Sequence, residues 1–111
     1  MIYSRWDVVA VLFPFLEGYQ AKHRPALIVS TERLHERHEL YWAAMITTAK
    51  AGLRDEDIPI ADPEQAGLPA SCIIRVSRLT TLSDRQIVRR LGSIQPKQRN
   101  AVQALLRKYA P

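Results

Sequence analysis

Arg24 stands between His23 and Pro25 in the stretch KHRPALIVS, residues 22–30, where three cation-bearing side chains meet an apolar run. Proline biases the residue before it toward an extended backbone. It is also tolerated at the first residue of a strand. Arg24 therefore sits on a stiff strand start, where a guanidinium can be aimed rather than left to wander. Hydroxyls occupy comparable places: Thr47 and Thr48 close a second apolar run, and Ser30, Ser71, Ser77, Thr80 and Thr81 fall in strand-like contexts. Each threonine has an ordinary structural reason to be there, because β-branched side chains pack well on strands. An arginine beside a hydroxyl nevertheless makes a workable phosphodiester site. A guanidinium forks onto two phosphate oxygens and a hydroxyl donates to a third. RNA carries its own nucleophile, the 2′-hydroxyl, so such a site needs only proton transfer and charge stabilisation. DNA lacks that group, so this set of parts favours RNA.

Other chemistries find less support. HERHE, residues 35–39, holds His35 and His38 three apart and lacks the spacing of a zinc-protease helix. The single cysteine, Cys72, lies in an isoleucine-rich run and reads as a small core side chain. It also excludes an internal disulfide and a cysteine-rich zinc site. The four glycines are scattered singly, so no phosphate-cradling loop is present. No metal site and no cofactor is expected.

The elements that must position Arg24 and the threonines are those of one domain, residues 1–111, with 47% hydrophobic content. The apolar stretch 8–16 is too short to span a membrane and contains Pro14. Its flanks do not resemble a secretory signal, so a cytoplasmic, soluble protein is expected. From Arg75 onward nine cations face one acid, Asp84, whereas residues 55–64 hold five acids and no cation. Within a net charge of +5, that asymmetry predicts a surface for an anionic partner, either nucleic acid or an acidic protein.

Hydrophobic patterning predicts strands over residues 6–15, 26–30, 40–48, 57–60 and 71–82. Residues 16–23 read as a loop, 31–39 as a helical turn or polar loop, and 67–69 as a turn. In the long strand the alternation slips after Arg78, which predicts a bulge. Residues 83–92 allow two outcomes: a short helix capped by Ser83 and ended by Gly92, or a strand over 87–94. Pro96 opens a final helix whose apolar face carries Val102, Leu105, Leu106 and Tyr109. The predicted fold is mainly β with α: a small barrel or twisted antiparallel sheet with a C-terminal helix.

Taken in order, WDVVAVLFPF, KHRPALIVS, LYWAAMITT, DIPI, GLPASCIIRVSRLTTL and IVRRLGSI resemble the MazF/PemK toxins of type II toxin–antitoxin systems. The resemblance runs from about Trp6 into the final helix. It implies an SH3-like β-barrel and a homodimer. It further implies a sequence-specific, metal-independent endoribonuclease that cuts single-stranded RNA, commonly mRNA, leaving a 2′,3′-cyclic phosphate and a 5′-hydroxyl. The implied partners are that RNA and a cognate antitoxin whose acidic, flexible segment covers the RNA-binding surface. DNA is met only through the antitoxin, and no membrane is involved.

By the same resemblance Arg24 and Thr47 are the catalytic pair. Lys22, His23, Thr48, Arg75 and Ser77 form the implied RNA-binding set. One branch of the family carries an arginine and, two residues on, an aspartate on the long strand; here the arginine matches Arg75, but Ser77 replaces the aspartate. Trp6 replaces the usual glycine that opens the first strand. Two other readings stand beside the nuclease: a toxin of the same fold that inhibits a protein such as DNA gyrase, and a catalytically inactive RNA-binding barrel.

Overall fold

The computed structural model describes residues 2–13 and 22–111. Six antiparallel strands form one sheet: β1 Asp7–Phe13, β2 Lys22–Ile28, β3 Leu40–Thr48, β4 Ile58–Pro59, β5 Cys72–Ser83 and β6 Ile87–Ser93. Helix α1, Glu32–His38, joins β2 to β3, and helix α2, Pro96–Tyr109, follows β6. The strand order is β4-β5-β3-β2-β1-β6. The sheet is thus open, the twisted-sheet form of the expected mainly β fold with a C-terminal helix.

Each face of the sheet carries its own apolar cluster. Val8, Leu27, Ala44, Ile46, Ile74 and Val76 point to one face and pack with Val102 of α2, while Leu105 and Leu106 lie against them. Val9, Val11, Ala26, Ile28, Tyr41, Ala43 and Leu82 point to the other and meet Tyr3. These sets follow the two-residue period of a strand. Each fully buried valine, leucine or isoleucine contributes roughly 1.5–3 kcal/mol.

LYWAAMITT forms β3 over the very residues its pattern predicts, and Pro96 takes the first turn of α2. The expected loop at 16–23 is only partly testable, since 16–21 lie outside the described residues. Lys22 and His23 belong to β2, not to a loop. Proline at residue 25 did not delay the strand, because Pro25 needs only an extended backbone there and sits level with Ala10.

Both outcomes foreseen for 83–92 occur in part. Ser83 and Gln86 exchange capping bonds around a short 3-10 turn, Asp84–Gln86, and β6 follows at once. Gly92 is a strand residue instead of a helix terminator. A Cβ there would come 2.2 Å from the Gln65 carbonyl oxygen, so glycine permits a close backbone crossing. Trp6 adopts φ 77°, the left-handed region. A glycine at that place would be free of strain, which gives the departure its structural meaning.

The predicted bulge is in β5. Its register on β3 moves from Arg75↔Met45 to Leu79↔Ala44. Val76, Ser77 and Arg78 are the inserted residues, and they reverse which residue parity faces which cluster.

Candidate nucleic-acid interface

Strand β2 pairs with β3 through Ala26↔Met45, Leu27↔Ala44 and Ile28↔Ala43. Carrying that register two residues further sets Arg24 level with Thr47. Arg24 has the parity of Ala26 and Ile28, and Thr47 that of Tyr41 and Ala43, all members of the second cluster. Both therefore belong to one face of the sheet. Arg24 is exposed and lies opposite Val11, and Thr47 is half-buried. Thr47 is level with Ile73 of β5, which in turn is level with Pro59 of β4. The row through Arg24 and Thr47 is flanked by buried Val11 of β1 and buried Ile73 of β5.

One row further up, Met45 is level with Arg75. Arg75 is a buried residue, not a solvent-facing cation. Its Nε donates to Asp57 Oδ1 at 3.2 Å and its Nη2 to Asp57 Oδ2 at 2.8 Å. Nη2 also donates to the Gly52 carbonyl at 3.3 Å. The Arg75 side chain is 11% exposed and that of Asp57 only 2%. The Arg75 guanidinium holds the Asp57 carboxyl below the usual carboxylate range, burial opposing it in part.

The remaining expected site residues divide. Lys22 opens β2 opposite Phe13. His23 is exposed but has the parity of Leu27, so it faces away from Arg24. Thr48 is exposed, lies level with Cys72 and leads into a 3-10 turn, Ala49–Ala51. Ser77 sits in the bulge and lines a groove of about 630 Å³ with Leu105, Leu106 and Tyr109 of α2. The helix side of the molecule thus holds Ser77, apart from the Arg24–Thr47 row.

The C-terminal cation excess is smaller in space than in sequence. Arg75 pairs with Asp57, Arg90 with Asp7 at 2.9 Å, and Lys108 with Glu56 at 3.0 Å. Arg78, Arg85, Arg89, Lys97 and Arg107 stay exposed. His35 lies 3.0 Å from Asp84 and stacks on Tyr41. Among the described residues no three histidine, cysteine, aspartate or glutamate side chains converge. Burial pushes the Cys72 thiol up, away from thiolate chemistry.

Sequence reasoning assigned Asp57 to a short strand and gave it no role. The signal was present, because an arginine inside CIIRV must meet an acid across the sheet, and residues 55–64 are rich in them.

An open antiparallel sheet backed by a C-terminal helix defines a small mainly β protein with two helices. The sequence pattern of the PemK-like, MazF-like toxins of type II toxin–antitoxin systems matches residues 4–110. The chain belongs to this family. Solved structures share its fold. MazF from Deinococcus radiodurans is 18% identical with a TM-score of 0.76, covering 98% of this chain and 96% of its own. An endoribonuclease in complex with its cognate antitoxin, from a mycobacterial species, is 22% identical with a TM-score of 0.69, covering 96% and 90%. The Mycobacterium tuberculosis toxin MazF-mt6 is 19% identical with a TM-score of 0.70, covering 93% and 95%. No curated protein matches the sequence. Among the described residues no helix is long and apolar enough to cross a membrane.

Proposed function

We propose that this toxin is a sequence-specific endoribonuclease that cleaves single-stranded RNA without a metal ion. The observation that supports the proposal is the β2–β3 register through Ala26↔Met45, which, continued by two residues, would bring Arg24 beside Thr47 on one sheet face. In the proposed reaction the 2′-oxygen attacks the adjacent phosphorus and loses its proton. The bond to the 5′-oxygen breaks, and that oxygen leaves protonated. The products are a 2′,3′-cyclic phosphate and a 5′-hydroxyl. Charge accumulates on the non-bridging oxygens in the transition state, and fixed donors aimed there lower the barrier. Arg24 provides the fork for those oxygens and takes part in the proton transfer, while the Thr47 hydroxyl donates a further bond.

Lys22, His23 and Thr48 all lie just beyond this pair, at the same end of the antiparallel strands, and act as RNA contacts, His23 from the opposite face. The protein works as a homodimer in the cytoplasm. It is held inactive by an antitoxin whose acidic segment competes with RNA for the same cations. The mycobacterial endoribonuclease solved with its cognate antitoxin supports that pairing. Ser77, in the bulge beside α2, has no part in the proposed chemistry.

Arg24→Ala and Thr47→Ala test the assignment. Removing one such donor costs on the order of a hundredfold to a thousandfold in rate. Each variant should cut RNA that much more slowly and melt with the parent, as expected for side chains that are not buried. Cleavage at the parent rate by Arg24→Ala would end the assignment. A folded parent that leaves RNA intact would favour the inactive barrel or the protein-directed toxin.

A further inference from the structure

The segment between Thr48 and β4 leaves the sheet at the proposed site and returns to it one row away. It starts beside Thr47 and ends at Asp57, which is bonded to Arg75 of β5. Its shape is strongly determined. Arg75 Nη2 reaches both the Gly52 carbonyl and the Asp57 carboxylate. The Arg54 amide donates to Asp57 Oδ2 at 2.7 Å. The Gly52 amide donates to Ala49 and the Asp57 amide to Arg54, at 3.1 Å each. Glu56, with φ 67°, is left-handed. It accepts bonds from Lys108 and Tyr109 at the end of α2. The segment is therefore fastened to β5 at one side and to α2 at the other.

It holds out Leu53 with exposed Lys50 and Arg54 near it, while exposed Asp55 follows Arg54 and Glu56 is taken up by α2. Leu53 is 65% exposed, a large hydrophobe without cover, and Lys50 and Arg54 flank it in the open. An uncovered leucine offers an apolar contact to a nucleobase, and Lys50 and Arg54 offer charge to the neighbouring phosphates. Arg75 itself is spent: a guanidinium already neutralised by a buried carboxylate is a poor ligand for phosphate.

We propose that Asp57 is a positioning residue: through Arg75 it fixes this loop so that Leu53 and Arg54 contact the bases next to the scissile phosphate and set the cut sequence. The inference rests on the nuclease reading for its substrate. Arg75 then serves RNA binding indirectly, as the pin of the loop.

Cleavage of a randomised single-stranded RNA pool, read by sequencing the cut ends, tests this for the parent, Asp57→Asn and Leu53→Ala. Amide exchange over residues 52–57 is followed alongside. In Asp57→Asn the amides at 52, 54 and 57 should exchange roughly tenfold faster, as a locally opened segment does. The base preference beside the cut should broaden. KM for the parent's best sequence should rise about tenfold, the equivalent of one lost base contact, with a smaller change in kcat. Leu53→Ala should broaden the preference without changing exchange.

An unchanged cut pattern in a loosened Asp57→Asn loop overturns the proposal. So does faster cleavage by Asp57→Asn, which would mean that freed Arg75 binds phosphate directly. Should Asp57→Asn fail to fold, Leu53→Ala decides alone, and an unchanged cut pattern overturns the proposal. If the parent cuts no RNA, the nuclease reading is what fails. The loop is then judged by binding of single-stranded RNA oligonucleotides, and equal affinity for parent and Leu53→Ala overturns it.

Discussion

Adding one methyl group at Gly92 should cost more than its size suggests. An added Cβ would meet the Gln65 carbonyl oxygen at 2.2 Å, the Ala66 carbonyl carbon at 2.6 Å and the Ala66 Cα at 2.9 Å. All three are backbone atoms, so no side chain can rotate away. Ordinary contact begins near 3.4 Å, so the 62–68 segment would have to retreat by about 1 Å. It has little room. The Ser93 amide donates to the Gln65 carbonyl at 3.3 Å, and a Cβ on Gly67 would in turn strike the Leu91 carbonyl at 2.2 Å. Overpacking of this kind costs roughly 1–3 kcal/mol. For a domain of this size each kcal/mol is worth about 4 °C, so Gly92→Ala should melt about 4–12 °C below the parent. Thermal and urea melts measure it, and cleavage per folded molecule should be unchanged because the crossing is remote from the Arg24–Thr47 row. Gly52→Ala is the control: nothing lies within 4 Å of its Cβ, so only the φ of 82° is penalised, by roughly 1–2 kcal/mol. A Gly92→Ala protein that melts with the parent would refute the steric reasoning.

Acid should weaken the fold partly through Asp57. Its folded pKa is depressed, chiefly by Arg75, so the stability it adds is complete above the ordinary value of 3.8 and is lost as pH falls toward the folded value. Asp57→Asn should be less stable than the parent at pH 7, with the gap closing as pH falls below about 4; a gap that stays constant in acid melts would contradict this. Exposed Arg89 lies on edge strand β6, level with Ala10. Arg89→Glu should weaken RNA and antitoxin binding more at 20 mM salt than at 300 mM, given a screening length of about 8–10 Å near physiological ionic strength. Equal binding at low salt would place Arg89 outside both interfaces.

How much of this was legible in sequence depends on the range of the interaction concerned. Residues 40–48 formed a strand, and Pro96 opened a helix, because period and proline geometry act within a few residues. The slip after Arg78 signalled the bulge for the same reason, although parity could not say that Ser77 would end beside α2. Residues 83–92 stayed ambiguous because the Ser83–Gln86 capping box and the strand behind it are both local and both real. Long-range facts were another matter. That Ala26 pairs with Met45, from which the Arg24–Thr47 alignment is extended, is a β2–β3 register that the connection through α1 does not reveal. Arg75 counted as a surface cation until Asp57, eighteen residues away, was seen to neutralise it. Gly92 resembled a helix end since nothing nearby announces the backbone of Gln65 and Ala66. The Trp6 position is a mixed case: a glycine-like φ persists there with a bulky residue, its amide bonded to the Ile28 carbonyl at 2.8 Å.

Incubation of purified protein with a long single-stranded RNA in excess EDTA, beside Arg24→Ala, tests the central claim most directly. The account predicts discrete fragments ending in a 2′,3′-cyclic phosphate from the parent, and the same cuts on the order of a hundredfold to a thousandfold more slowly from the variant. Intact RNA with a folded, antitoxin-free parent, or equal cutting by both proteins, would contradict it.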